Sequence, residues 1–372
     1  MTNPQFSIRE HILDMPPYEP ILPFEVLSEQ LGIPADRLIK LDANENPYGA
    51  LPEVSEALRC IPYLHVYPDP ESRILRQAIS CRHSLPAGNI IAGAGSDELI
   101  DLIMRLFLEP GDAVLTCPPT FGMYTFDAGL HRAHIIQIPR LDDFSLDLDA
   151  VERVVISEKP RIIFLASPNN PDGSLLSKET VERLLALPCM LVLDEAYIEF
   201  ASTGASLIAE APERSNLIVL RTFSKWAGLA GLRVGFGVFP DWIAPQLWKI
   251  KQPYNVSVAA STAALVSLEH ADKLEEIGKR ITTERKRFFN MLQKISWLKP
   301  YPSQANFILC RVRGMDARVL KMKLAKRGIL VRYFDKPGIQ DCIRISIGKP
   351  EQSDVVVKAL EESYQKTEAG GQ

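Results

Sequence analysis

No two cysteines of this 372-residue chain stand in Cys-x-x-Cys spacing. The six present (Cys60, Cys81, Cys117, Cys189, Cys310, Cys342) are scattered, which points to reduced thiols rather than a disulfide frame or a zinc ribbon. The six histidines form no ligand-spaced cluster, so no metal site is expected. No apolar run reaches the length that spans a bilayer. Basic residues are not in surplus: 42 Lys and Arg face 46 Asp and Glu, a net charge of −4, which argues against a nucleic-acid partner. The start, Met1-Thr2-Asn3-Pro4-Gln5-Phe6-Ser7, lacks a basic stretch followed by an apolar one. No secretion signal is therefore expected, and a cytoplasmic protein is. Internal repeats and low-complexity tracts are also missing.

What remains is ordinary globular material, 46% hydrophobic and 24% charged, long enough for two units with a large core. Residues 1–45 are proline-rich (Pro16, Pro17, Pro20, Pro23) and read as an arm that packs on the rest, with a short helix at Phe24–Leu31. Residues 46–255 alternate strand and helix. The expected strands are Asn89–Ala94, Ala113–Cys117, His134–Ile138, Arg161–Ala166, Met190–Asp194, Leu217–Arg221 and Val234–Phe239. They are short and mostly apolar throughout, as in a parallel sheet covered on both faces. Helical periodicity lies between several of them, at Asp97–Phe107, Thr120–Leu130 and Lys178–Ala186. The fold class is therefore α/β, with a large mainly parallel seven-stranded sheet. Residues 256–372 change texture: one long helical stretch over Ser257–Ile295, strands at Phe307–Arg311, Ile329–Tyr333 and Cys342–Ile347, helices at Asp316–Arg327 and Glu351–Lys366, and a disordered tail, Thr367–Gln372. That is a smaller α+β unit.

Four short stretches carry chemistry, each at an expected strand end. Gly93-Ala94-Gly95-Ser96-Asp97-Glu98 opens a helix; its small residues suit an anion at the helix N-terminus, or Ser96 or Asp97 is simply an N-cap. Ser167-Pro168-Asn169-Asn170-Pro171-Asp172-Gly173 is a turn at a strand's carboxyl end, where open α/β sheets bind ligands. Asp194 closes the apolar run Met190–Leu193, and a carboxylate there needs a partner or a role. Lys225 follows the apolar run Leu217–Leu220 almost at once. It is either a solvated loop lysine or an amine set for imine chemistry with an aldehyde cofactor.

The joint pattern is far more specific than any member. A Gly-rich turn, Asn-Asn-Pro-x-Gly, Asp-x-x-Tyr and Ser-Lys followed by Arg233 resemble the fold-type-I pyridoxal-phosphate aminotransferases over nearly the whole chain. The stretches Asp42–Gly49, Thr120–Tyr124, Asp194–Phe200 and Ala230–Arg233 resemble the histidinol-phosphate aminotransferase branch most. The resemblance implies that Lys225 carries pyridoxal 5′-phosphate and acts as the base, with Asp194 at the ring nitrogen. It implies that Asn170 and Tyr197 bond the phenolic oxygen and that Phe121 stacks on the ring. The amides of Ala94 and Gly95, with Ser96, Ser224 and Arg233, would hold the phosphate. Tyr67, on a stiff loop, would reach the cofactor of the other subunit of a homodimer with shared sites. Tyr18, Asn170, Arg332 and Arg344 would bind the substrate's anionic end, with Arg344 also meeting glutamate's carboxylate. The implied activity is amino transfer between histidinol phosphate and 2-oxoglutarate. A threonine-phosphate decarboxylase, an aromatic-amino-acid aminotransferase and a non-catalytic sensor stay open as alternatives.

Overall fold

The computed structural model describes residues 8–18 and 20–368. The expectations for residues 1–7 and for the tail beyond residue 368 lie outside the described residues. Thr367 and Glu368, expected in a disordered tail, continue the last helix, Pro350–Glu368.

Two sheets organise the chain. In order, the strands are β1 (Ile39–Leu41), β2 (Ile90–Gly93), β3 (Ala113–Thr116), β4 (His134–Gln137), β5 (Ile162–Ala166), β6 (Met190–Asp194), β7 (Leu217–Thr222) and β8 (Gly235–Val238). Then follow β9 (Leu298–Pro300), β10 (Phe307–Val312), β11 (Ile329–Tyr333) and β12 (Cys342–Ser346). The large sheet has seven strands in the order β2-β8-β7-β6-β5-β3-β4. β7, β6, β5, β3 and β4 run parallel, while β8 is antiparallel to both its neighbours. The central strands β5, β6 and β7 are buried at every residue, which explains their unbroken apolar runs. Separate apolar clusters fill the two faces of the sheet, one including Leu165, Leu191 and Val219 and the other Phe164, Val192 and Ile218. Successive residues of one strand thus feed opposite layers, the alternation that strand geometry imposes. β4 is the exposed edge, with polar His134 and Gln137 at its ends.

The second sheet has five strands, β1-β11-β12-β10-β9. Its edge strand β1 comes from the start of the chain and pairs in parallel with β11, Ile39 opposite Ile329. Ile329, Val331, Ile343 and Ile345 pack into a core with helices Ala271–Leu292, Ala317–Ala325 and Pro350–Glu368. By the same alternation Arg332, Arg344 and Ser346 sit on the opposite face. Apolar packing thus decides which way the arginines point.

Several local expectations differ from the structure. The stretch Ser257–Ile295 is two helices, Val258–Glu269 and Ala271–Leu292, with His270 outside helical geometry between them. The helix expected from Thr120 begins at Met123, after bends at residues 118–120. Helices Leu148–Glu158 and Ala244–Ile250 and strand β9 have no counterpart among the expected elements. Among the described residues no helix is long and apolar enough to cross a membrane.

Candidate active site

The carboxyl ends of β5, β6 and β7 converge on a cavity of about 120 Å³. Eight of the residues singled out in the sequence line it: Ser96, Phe121, Asn170, Asp194, Tyr197, Ser224, Lys225 and Arg233. They are far apart in sequence and meet because parallel strands deliver their last residues to one edge of the sheet.

Asp194 forms the floor. It is buried, and its carboxylate accepts from Tyr124 Oη at 2.8 Å and from the Ala196 amide at 3.0 Å. No basic side chain pairs with it among the described residues. Burial, the largest influence, raises its pKa to about 6. An ion-paired or merely capped aspartate is therefore not what the strand end holds. It is a carboxylate short of a cation. Tyr124 is fully buried, stacks on Phe164 at 5.2 Å and is held protonated by burial and by the neighbouring Asp194 charge.

Lys225 stands across the cavity. Its Nζ donates to the Ala43 carbonyl at 3.3 Å and lies 5.9 Å from the centre of the Tyr197 ring. Burial, and then the positive charge of Arg344, lower its pKa to about 8. An amine so placed is neutral far more often at physiological pH than a solvated lysine. The solvated-loop alternative does not describe this residue.

Tyr197 and Asn170 tie the floor to the small sheet. Tyr197 Oη accepts from Asn44 Nδ2 at 3.0 Å. Asn44 in turn donates its amide to Ser346 Oγ at 2.9 Å, and its carbonyl accepts from Asn306. It is buried with φ of 56°, a left-handed conformation that asparagine tolerates better than most residues. Asn170 Oδ1 accepts from Arg344 Nη1 at 2.5 Å, and Arg344 Nη2 donates to the Asp42 carbonyl at 2.7 Å. The third donor, Arg344 Nε, is buried without a partner. Arg344 lies against the rings of Phe307 and Phe334, and burial lowers its pKa to about 10. Arg332 is directly opposite Arg344 in the β11–β12 pairing, and among the described residues no carboxylate pairs with either. Like charges so placed repel.

The anion-binding expectation needs one correction. The Ala94 amide is occupied by Glu98 Oε2 at 2.6 Å, so it is not free to meet a phosphate. Neither Ser96 nor Asp97 caps the helix Gly95–Phe107. Asp97 pairs instead with Arg233 Nη2 at 2.7 Å. Gly95, at φ of 81°, is needed here, since a methyl group on it would come within 2.7 Å of that same guanidinium nitrogen. The first-turn amides of the helix face the cavity end, where intrahelical acceptors are lacking. Ser224 Oγ accepts from Thr222 Oγ1 at 2.9 Å and meets Arg233 Nη1 at 3.4 Å.

Phe121 lines the cavity and meets Tyr124 edge-on at 5.5 Å. Tyr18 packs edge-on against Phe126, beside the Phe121–Gly122 turn. Tyr67 does not join the others: it is 79% exposed and stacks on Tyr254 at 4.7 Å. Sequence reasoning gave no role to Tyr124 or Asn44 and offered Asp97 only as an N-cap, although all three stand in stretches it marked. Asp97 has a strand-end signal. Tyr124 and Asn44 are linked to the site only by tertiary contacts.

A family profile described as aminotransferase class I and II matches residues 36–360. The chain is 52% identical over 358 residues to the chloroplastic histidinol-phosphate aminotransferase of Nicotiana tabacum, covering 96% of this chain and 86% of that one. It is 50% identical over 363 residues to the histidinol-phosphate aminotransferase of Roseiflexus castenholzii, covering 95% and 97%. Among solved structures, histidinol-phosphate aminotransferase from Sinorhizobium meliloti in complex with pyridoxal-5′-phosphate superposes with a TM-score of 0.89. The identity there is 31%, and the match covers 98% of this chain and 99% of that one.

Proposed function

The chain belongs to the class I and II aminotransferases, and from that premise we propose that it transfers an amino group between histidinol phosphate and 2-oxoglutarate, giving imidazole acetol phosphate and glutamate in histidine biosynthesis. The observation that carries the substrate assignment is Arg344. It is a buried guanidinium with one orphaned donor, set opposite a second unpaired arginine, Arg332. Two such arginines, one of them bonded to the cavity-lining Asn170, suit a multiply charged anion.

The residues present fit pyridoxal 5′-phosphate. Asp194 lacks a cation and Lys225 has only a carbonyl for company, and the protonated ring nitrogen and the aldehyde would supply what each lacks. When bound, the cofactor supplies an electrophilic carbon and a ring that withdraws electrons from the substrate carbon. Asp194 holds the ring protonated by its charge. Lys225 Nζ would carry the cofactor, and as a neutral amine it would serve as the base for the proton on the substrate carbon that bears the amine. Tyr197 Oη and the Asn170 amide orient the ring oxygen, and Phe121 covers the ring face. Gly95, Ser96, Ser224 and Arg233 would hold the cofactor phosphate, Arg233 standing beside Asp97 at that end of the cavity.

In this reading residues 46–255 form the cofactor-binding unit. Residues 256–372, with the arm 1–45, carry the substrate's anionic end on Tyr18, Asn170, Arg332 and Arg344. The protein works in the cytoplasm as a homodimer. The exposed Tyr67 serves the partner's site, which gives an apolar ring at the surface a use. The deciding experiment compares kcat/KM for histidinol phosphate and unphosphorylated histidinol, with glutamate measured as product. Strong phosphate preference with glutamate formation is expected. Equal use of both donors would end the assignment, and carbon dioxide as product would move it to the decarboxylases.

A further inference from the structure

Beyond the two arginines, a third cation lies beside the turn that follows the cavity-lining Phe121. The loop after β11 runs Phe334-Asp335-Lys336-Pro337-Gly338. Phe334 lies under both Arg332 and Arg344, at 5.8 and 5.4 Å from their guanidinium carbons. Asp335 turns away, its carboxylate shared by Arg318 and Gln340. Lys336 turns the other way. A methyl group set on Gly122 would lie 3.4 Å from Lys336 Nζ and 3.9 Å from Tyr18 Cε2. Gly122 follows Phe121, which lines the cavity. Three segments therefore meet at one point: the arm at Tyr18, the turn at Phe121-Gly122 and the loop at Lys336. No carboxylate pairs with Lys336 among the described residues, and the one adjacent acid, Asp335, is engaged elsewhere.

We infer that Lys336 is a specificity-determining residue that supplies its ammonium to the outer oxygens of the substrate's phosphate, together with Tyr18, and that it discriminates a phosphate ester from a carboxylate. The inference rests on the phosphorylated-donor reading above and deepens it. The chemistry of the two substrates explains why a third cation is useful. A carboxylate is bonded directly to the carbon that bears the amine. A phosphate on the same side is a methylene and an ester oxygen farther out, is bulkier, and carries up to two charges. Arg344, buried against Asn170, suits the nearer group. Lys336, on an exposed loop with a flexible stem, suits the farther one.

The test uses the full-length, cofactor-loaded enzyme with Lys336→Gln and Lys336→Arg. Histidinol phosphate, histidinol and glutamate serve as amino donors at low and high salt. For Lys336→Gln we expect kcat/KM for histidinol phosphate to fall about five- to tenfold, between the effect of an exposed ion pair and that of a buried charged hydrogen bond. The loss should lie in KM, shrink at high salt, and leave histidinol and glutamate within about twofold. Lys336→Arg should retain most of the preference. A phosphate preference untouched by Lys336→Gln would overturn the inference and leave the substrate reading intact. An equal loss on all three donors would overturn it too, in favour of a structural role for the loop. No phosphate preference in the unaltered enzyme would overturn both.

Discussion

The floor of the pocket and its outer wall are built on opposite plans. The floor, Asp194, Lys225 and Tyr197, hangs from the ends of fully buried parallel strands, and its hydrogen bonds run to buried groups such as Tyr124 and Asn44. The wall, Arg332, Arg344 and Lys336, rides on the small mixed sheet and its loop, and among the described residues no carboxylate pairs with these charges. On the floor, the protein tunes single groups by burial: a carboxylate raised to about 6 and an amine lowered to about 8. On the wall it leaves charge uncompensated and waits for a ligand. In the function proposed above, the buried part carries the amino-transfer chemistry and the charged part the choice of substrate.

The comparison can be broken at its strongest point first. In the proposed function Lys225→Ala removes both the amine that would carry the cofactor and the base, and turnover should fall by about three orders of magnitude or more. Borohydride reduction of the unaltered enzyme should attach cofactor to the peptide containing Lys225. Label on another lysine would break the floor's plan.

Asp194→Asn keeps the shape and removes the charge. Turnover should fall on the order of a hundredfold or more, yet the cofactor-free protein should not be destabilised near neutral pH. The folded pKa of about 6 lies above the ordinary value of 3.8. The folded state therefore holds the extra proton, and the stability this gives is full below the ordinary value and lost as pH rises through about 6. Melting curves of the cofactor-free forms from pH 4 to 8 should show a smaller decline for the variant. A melting temperature well below that of the unaltered protein at pH 7.5 would show that the carboxylate is structural.

Arg344→Ala joins the two regions. It should lower kcat/KM for glutamate and histidinol phosphate by about a hundredfold. It should also act on the floor, because Arg344 is the second cause, after burial, of the lowered Lys225 pKa. A neutral amine is required to capture the cofactor. In the unaltered protein the capture rate should therefore rise with pH through about 8 and then level off, and in the variant that rise should shift to higher pH. Stopped-flow absorbance at several pH values measures this, and coincident profiles would mean the two regions are electrostatically independent.

The smallest effect expected is on the tie between them. Asn44→Ala loses the bond to Tyr197 and puts alanine in a left-handed conformation. It should cost about 2–3 kcal/mol of stability in denaturant unfolding while turnover falls less than for any change above. Unchanged stability would show that the tie contributes nothing.

The two plans also explain how much could be read in advance. The strands β3, β5, β6 and β7 of the large sheet were visible because a buried parallel strand is apolar nearly throughout and ends abruptly, and the catalytic candidates are the polar residues at those ends. Lys225 after Leu217–Leu220 and Asp194 after Met190–Leu193 are such cases. The wall gives no comparable signal. Arg332 and Arg344 were reached through family resemblance, and their opposition across β11 and β12 depends on a register that sequence does not state. Lys336 looks like any loop lysine until Gly122 and Tyr18 are seen beside it. Asn44 hid for the same reason, since its partners Tyr197, Ser346 and Asn306 come from remote segments. The helix Leu148–Glu158 was missed because Val151, Val154 and Val155 favour strands locally, and only its packing against the sheet decides for helix. The break at His270 carries no glycine or proline to announce it.

The pairing of β1 with β11 has a consequence for how the molecule is made. Synthesis runs from the amino end, so Ile39–Leu41 leave the ribosome long before Ile329–Val331 exist to receive them. The seven-stranded sheet, whose strands lie between residues 90 and 238, can close while translation continues. The five-stranded one cannot be completed until nearly the whole chain has emerged, because its first and last strands in sequence flank β11 on either side. A fragment beginning at residue 256 would lack that edge strand and would present the bare backbone of β11 to its neighbours. The sheet that bears Arg332 and Arg344 is thus the last part of the protein to be assembled, and its edge is one of the first pieces to be made.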